Sequence, residues 1–201
     1  MLTLIIATGN AHKAEEFDRM FAAAGLPVVA RSAKTVGGMP EVVEDSGTFA
    51  GNAMLKAKAL RAIAGADAWV LADDSGLECV ALGGAPGVDT AVYAGPAATA
   101  EANRAKLLNA MRDIPESRRD ARFVCHLTLL GPEGEVFEFT GECPGRIATA
   151  ETGAGGFGYD PLFIPDGYGK TFAALDPAIK DGISHRARAF ARLTGRLATL
   201  V

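Results

Sequence analysis

Short apolar runs that alternate with amphipathic segments limit the possible fold of this chain more than any other feature. Leu2–Ala7 is apolar and strand-like, and a turn at residues 8–10 separates it from a segment with helical periodicity. Apolar residues in that segment recur at the i, i+3, i+4 and i+7 spacing that gives a helix one apolar face. These residues are Phe17, Met20, Phe21 and Ala24. The pattern predicts a buried strand followed by a helix over residues 12–24.

The same alternation continues along the chain and later gives way to a pair of strand-like runs. Helical patterns cover residues 49–64 and 100–111, and a final helix is predicted from about residue 184, after a helix start at Asp176-Pro177. Strand patterns cover residues 69–72, 121–130, 136–143 and 162–164, and the second and third are joined by a Pro-Glu-Gly turn typical of a hairpin. Strands that alternate with helices, followed by a hairpin, predict an α/β fold with a mixed central β-sheet and flanking helices.

Composition excludes several classes of protein. With 201 residues the chain can form one substantial domain, and a net charge of −4 gives no broad surface for nucleic acid. Cys79, Cys125 and Cys143 are odd in number and widely spaced, so we expect buried free thiols in a reducing compartment. The first residues lack a charged, signal-like region, and no apolar run is long enough to span a membrane. We therefore expect a soluble, cytoplasmic protein.

Two nucleotide-binding motifs are matched only superficially. Residues 153–158 satisfy G-x-G-x-x-G, but Tyr159-Asp160-Pro161 follows at once and disfavours the helix that a dinucleotide-binding turn requires. Gly169-Lys170-Thr171 resembles the end of a phosphate-binding P-loop, but Ile164 stands where that motif needs its first glycine. Neither motif is expected to bind phosphate in the usual way.

Asp73 and Asp74 are the clearest indication of chemistry. They follow the apolar run at residues 68–72 and precede Ser75-Gly76, so we expect a strand that ends in two acids and then turns. Two carboxylates at the edge of a sheet can reach a divalent metal and a phosphorylated ligand. A solvated turn explains the same four residues, because Asp, Ser and Gly are common in turns.

Other polar residues at the ends of predicted elements suit the same kind of ligand. Glu44 adds a third hard oxygen donor of the kind that binds Mg²⁺ together with substrate phosphates. Thr8, Gly9 and Asn10 could contact a phosphate, although a simple strand-to-helix turn explains them equally well. The ring of Phe157 could stack on a nucleobase or pack in the core. Positive charge would come from Lys13, Lys56, Lys180 and Arg186.

Six ordered motifs resemble those of the inosine triphosphate pyrophosphatase family and span nearly the whole chain. They are Ala7-Thr8-Gly9-Asn10 with Lys13, Thr48-Phe49 with Asn52-Ala53 and Leu55-Lys56-Ala57, Ala72-Asp73-Asp74-Ser75-Gly76-Leu77, Gly83-Gly84-Ala85-Pro86-Gly87, Gly156-Phe157-Gly158-Tyr159-Asp160-Pro161, and Ile183-Ser184-His185-Arg186. The resemblance implies two lobes around a substrate cleft within one domain over residues 1–201, and a homodimer. It also implies Mg²⁺-dependent cleavage of purine nucleoside triphosphates that carry hypoxanthine or xanthine, which yields the monophosphate and pyrophosphate.

The resemblance also assigns roles to residues. Thr8, Gly9, Asn10, Lys13 and Lys56 would bind the triphosphate, Glu44, Asp73 and Asp74 would serve metal and water, and Ser75 would touch substrate. Phe157, Gly158, Tyr159, Asp160, Lys180, His185 and Arg186 would form the base and sugar pocket. Our hypothesis is that Asp74 is the general base and that Arg186 faces O6 of the purine.

The chain departs from the family pattern at a few positions. Val92 replaces an arginine, Asp89 replaces an aromatic residue, and Ala174 stands where a glutamate is common. None of these changes removes a proposed catalytic group. Two other functions remain open: a pyrophosphatase for other modified nucleotides, as in septum-inhibitor-like proteins, and a nucleotide sensor that does not hydrolyse.

Overall fold

A computed structural model of the chain describes residues 2–200. Its strands are β1 (Leu2–Ala7), β2 (Val28–Ser32), β3 (Trp69–Cys79), β4 (Asp120–Leu130), β5 (Val136–Ile147) and β6 (Phe163–Pro165). Its α-helices are α1 (Ala11–Ala24), α2 (Phe49–Arg61), α3 (Ala100–Ala110), α4 (Pro177–Ile183) and α5 (His185–Leu197). Short 3₁₀ turns cover residues 33–36, 80–82, 87–89, 116–118 and 172–174.

The strands form one six-stranded sheet in the order β2-β1-β3-β4-β5-β6. β1 is parallel to both β2 and β3, whereas β5 and β6 are antiparallel. β4 and β5 are neighbours joined by a turn in which Gly131 N donates to Glu135 O at 2.8 Å. A connection this short cannot cross over to a parallel strand, so the pair is the predicted hairpin. The mixed α/β fold predicted from the sequence is confirmed.

One prediction about β3 is wrong, and it concerns the acidic pair. We expected the strand to end at residue 72 and the chain to turn through Ser75-Gly76, but the strand continues from Asp73 to Cys79. Leu77 and Cys79 are fully buried, and burying them favours the extended backbone over the local turn preference of Ser and Gly. The two acids therefore lie within an eleven-residue strand, with side chains on opposite faces.

Other boundaries differ by smaller amounts. β2 has no counterpart in the sequence prediction, because its pattern is short and only partly buried. α2 ends at Arg61 rather than residue 64, and β5 extends four residues beyond the predicted end to Ile147. Two helices begin at capping residues: Thr99 Oγ1 accepts from Ala102 N at the start of α3, and Asp176 caps α4 at the predicted helix start.

The chain contacts divide into two compact units, each with its own core. Unit 1 comprises the chain up to Asp74, Cys125–Gly141 and the chain from Arg186 onward. Unit 2 comprises Ser75–Val124 and Glu142–His185. The core of unit 1 includes Leu4, Phe17, Leu71, Leu127 and Leu193. The core of unit 2 includes Leu77, Leu107, Phe123, Phe163 and Phe172.

The three cysteines are buried and form no disulfide within residues 2–200, as the sequence predicted. Burial raises the pKa of the Cys79 thiol to about 12, so this side chain stays protonated and acts as a small apolar group. In the part of the chain that the structure describes, none of the helices has the length and apolar character needed to cross a membrane.

Candidate active site

The turn after β1 is shaped by its own side chains. Asn10 Oδ1 accepts hydrogen bonds from His12 N at 3.0 Å and Lys13 N at 3.3 Å, which makes Asn10 the N-cap of α1. Asn10 N in turn donates to Thr8 Oγ1 at 3.1 Å. A Cβ added at Gly9 would meet no atom within 4 Å, so the space beside the turn is open. The turn thus presents a helix N-terminus, with Lys13 in the first turn of the helix.

Asp74 shares a lysine with Glu44 in unit 1. Lys56 Nζ donates to Asp74 Oδ1 at 2.6 Å and to Glu44 Oε2 at 2.9 Å. Asp74 Oδ2 is buried and has no hydrogen-bond partner among residues 2–200. Burial raises the pKa of the Asp74 carboxyl to about 6, and the Lys56 ammonium opposes that rise. A carboxylate with one unpartnered oxygen and a pKa near neutrality has the properties of a general base.

The position of Glu44 depends on a contact that the sequence analysis did not identify. Asn52, on α2, is 1% exposed, and its Oδ1 accepts from Ser46 N at 3.2 Å and from Ser46 Oγ at 2.8 Å. This pair holds the segment that carries Glu44 against the helix that carries Lys56. Asn52 and Lys56 are four residues apart and therefore share a face of α2, but nothing in the sequence indicated Ser46.

Asp73 has different surroundings from Asp74. It is ion-paired with Lys13 and with Arg186, whose Nε lies 2.9 Å from Asp73 Oδ2. Cys125 Sγ also lies 3.2 Å from Oδ2. Burial alone would raise the pKa of Asp73, but the charges of Arg186 and Lys13 hold it well below its usual range. The ionised form of Asp73 is therefore favoured, and Lys13 and Arg186 balance its charge within unit 1.

Arg186 is fully buried and has a second acidic partner, Glu16 on α1. The sequence analysis placed Arg186 in the base pocket and did not identify Glu16, because a lone glutamate within a helix carries no distinguishing pattern. The role of Arg186 in base selection stays a prediction. Its ion pairs with Asp73 and Glu16 give it a structural role as well.

The chemistry of the carboxylates bears on the predicted metal site. Among residues 2–200, no set of three or more His, Cys, Asp or Glu side chains is grouped as a metal site. Mg²⁺, however, is commonly held by only one or two carboxylates together with substrate phosphates. Asp74, with its unpartnered oxygen, and Glu44, which is partly exposed and shares Lys56 with it, fit that arrangement. Asp73 fits it less well, because both of its oxygens already contact cations.

A second group of candidate residues lies in unit 2, around Phe157. Phe157 N donates to Asp160 Oδ2 at 2.8 Å, and Lys180 Nζ donates to the same oxygen at 2.7 Å. Lys180 Nζ also lies 4.5 Å from the centre of the Phe157 ring. Asp160 and Lys180 are buried, whereas Phe157 is half-buried. This group combines an aromatic face with a cation, and both are held by one carboxylate.

Close packing explains the glycines of this loop. A Cβ at Gly153 would lie 2.2 Å from the main chain of Ala173, and one at Gly156 would lie 2.1 Å from Asp160 Oδ2. No helix follows residues 153–158, so the dinucleotide-binding interpretation is excluded, as predicted. The glycines instead allow the loop to approach its own neighbours.

The remaining candidates in unit 2 have different kinds of contact. The Tyr159 hydroxyl donates to Thr90 O at 3.1 Å, and burial raises its pKa. His185 stacks on Phe123 with 4.8 Å between ring centres and is 5% exposed. Ser75 lies in β3 and is half-buried. Gly158 has a φ of +59°, and its carbonyl accepts from Arg104, a residue that the sequence analysis missed.

Comparison with known proteins shows which family the chain belongs to. The model of the Ham1 family matches residues 4–196. The chain belongs to the Ham1 family. Its membership confirms the family resemblance drawn from the six motifs.

Two relatives of this Ham1 chain match it over nearly full length. A protein of Opitutus terrae named dITP/XTP pyrophosphatase is 50% identical over 198 residues, which cover 96% of this chain and 97% of the relative. A protein of Rhodopirellula baltica with the same name is 44% identical over 202 residues, which cover 100% of this chain and 95% of the relative.

Solved structures show the same fold. A HAM1 protein from Coxiella burnetii superposes with a TM-score of 0.88 at 34% identity, over 99% of this chain and 100% of the other. A nucleoside-triphosphatase / dITP/XTP pyrophosphatase from Mycobacterium abscessus gives a TM-score of 0.77 at 39% identity, over 96% and 97%.

Proposed function

We propose that this chain hydrolyses non-standard purine nucleoside triphosphates, namely ITP, dITP and XTP, to the monophosphate and pyrophosphate, and thereby removes aberrant purines from the nucleotide pool. The observation that carries the proposal is Asp74, a buried carboxylate with one oxygen on Lys56 and the other unpartnered. The names of the full-length relatives support the substrate class.

Asp74 acts as general base. It takes a proton from a water that attacks the α-phosphorus, and pyrophosphate leaves as the phosphoanhydride bond breaks. Lys13, Lys56 and the turn at residues 8–10 bind the phosphate oxygens, because they supply ammonium groups and backbone N–H donors at a helix N-terminus. Mg²⁺ held by Asp74 and Glu44, with Asp73 nearby in sequence, would neutralise negative charge on the phosphates.

The residues around Phe157 recognise the base and sugar. The Phe157 ring offers a stacking face, and Lys180 lies beside it as a hydrogen-bond donor. Hypoxanthine and xanthine present an acceptor at O6, whereas adenine presents an amino donor there, so a cationic donor favours the former. We assign Gly158, Tyr159, Asp160, His185, Arg186 and Ser75 to the same recognition.

Three further properties belong to the proposal. The two units act as one catalytic domain over residues 1–201, and the protein is a homodimer, as the family resemblance implies. The buried free thiols support a cytoplasmic location, since thiols persist in reducing compartments.

A substrate panel tests the proposal. Purified protein with Mg²⁺ is incubated with ITP, dITP, XTP, ATP, GTP and modified pyrimidine triphosphates, and released pyrophosphate is measured, with parallel samples containing EDTA. We expect Mg²⁺-dependent release that is preferential for ITP, dITP and XTP. Preferential release from other modified nucleotides would replace the proposal with the first alternative, and binding without release would replace it with the sensor.

A further inference from the structure

Arg104 on α3 contacts the loop that carries Phe157. Its Nη1 donates to Gly158 O at 3.0 Å, and its Nε lies 3.0 Å from Glu151 Oε1. The Arg104 side chain is 13% exposed, whereas that of Glu151 is 40% exposed. One guanidinium therefore contacts both Glu151, two residues before the glycine-rich stretch, and Gly158, the residue after Phe157.

The Arg104 contact adds to two other contacts that hold Phe157. The Phe157 N–H donates to Asp160 Oδ2, and Lys180 Nζ lies over the Phe157 ring. Asp160 and Lys180 both follow Phe157 in sequence, and both already have a proposed role in recognition of the base and sugar. Arg104 belongs to a different element, α3, and donates to the carbonyl of the peptide between Gly158 and Tyr159. The turn that contains Gly158 is also closed by Asp160 N, which donates to Phe157 O at 3.1 Å, but Gly158 has no side chain and a positive φ, so the Arg104 contact adds a restraint where the backbone itself is least restricted.

We infer that Arg104 is a positioning residue for base recognition: it holds the Gly158 peptide so that the Phe157 ring is pre-set for stacking, an inference that rests on the proposed function. Arg104 does not touch substrate in this account. In a partly buried setting, a hydrogen bond from a charged donor to a carbonyl is stronger than one from a neutral donor. The Arg104 guanidinium is therefore suited to restrain the Gly158 peptide. Preorganising a stacking face reduces the ordering cost of binding.

Substitution of Arg104 separates this role from a general effect on folding. For Arg104→Ala, we expect KM for ITP to rise about tenfold and kcat to stay within about twofold, since the lost contact orders the binding loop and not the reacting atoms. Arg104→Lys keeps a donor for Gly158 O and should recover part of the KM. Arg112→Ala is the matched control, because Arg112 is exposed and contacts only Asn109 among the hydrogen bonds observed.

Hydrogen exchange of the intact protein without nucleotide provides a readout that does not depend on activity. Peptides covering residues 153–163 should exchange faster in Arg104→Ala than in the wild type. In Arg112→Ala, the same peptides should exchange at the wild-type rate. Unchanged exchange in this segment, or a fall in kcat with KM unchanged, overturns the inference. If the wild type releases no pyrophosphate from any purine triphosphate, the proposed function fails, and the exchange result still decides whether Arg104 orders the loop.

Discussion

At the level of single residues, Asp73 and Asp74 are adjacent in sequence but have different electrostatic surroundings. Asp73 is ionised and balanced by Lys13 and Arg186, whereas Asp74 keeps one unpartnered oxygen and a pKa raised to about 6. Residue type and spacing could not tell which of the two acids faces the metal, so the choice of Asp74 as the general base rested on the family resemblance. The difference arises from residues far along the chain: Arg186 is 113 positions from Asp73.

The ion pairs of Arg186 lead to a stability prediction. Arg186→Ala leaves Asp73 and Glu16 buried without their shared cation, so we expect the free energy of unfolding to fall by about 3–5 kcal/mol. Urea denaturation followed by circular dichroism measures the change. Lys58→Ala, at an exposed position of α2, is the control and should change stability by less than about 0.5 kcal/mol. Equal losses in the two variants would contradict a structural role for the Arg186 ion pairs.

At the level of elements, local propensity identified most helices and strands, and tertiary packing decided where they end. β1, α1 and the hairpin strands have clear periodic patterns, and their positions were predicted within a few residues. β3 was predicted too short, because Ser75-Gly76 has the composition of a turn and the burial of Leu77 and Cys79 cannot be read locally. Short, partly buried β2 gives almost no pattern of its own.

The glycine-rich loop leads to a second stability prediction. Gly153 has a φ of +83°, and a Cβ there would lie 2.2 Å from the Ala173 main chain. Gly153→Ala should therefore lower the free energy of unfolding by about 2 kcal/mol or more, since both the backbone and the packing oppose it. Gly169→Ala is the matched control, because a Cβ at Gly169 meets no atom within 4 Å. A Gly153→Ala variant as stable as Gly169→Ala would show that the loop is not packed as described.

At the level of the whole molecule, the sequence predicted the mixed α/β class and the family, but not how the chain is distributed between compact units. Each unit is assembled from separate stretches of sequence, and β3 contributes to both. The candidate phosphate residues fall mainly in unit 1 and the candidate base residues mainly in unit 2. Contacts such as Glu16 with Arg186 and Arg104 with Gly158 have no sequence signal, because they depend on the path of the chain.

Hydrolysis by the proposed mechanism depends most directly on Asp74 as the base. Asp74→Asn keeps the size of the side chain but cannot accept a proton, so we expect pyrophosphate release from ITP to fall by about 10²-fold or more while ITP affinity changes little. Release is measured in single-turnover experiments and affinity by calorimetry with Mg²⁺, and Asp67→Asn on the exposed turn before β3 serves as the control. Near-normal release by Asp74→Asn would contradict the account.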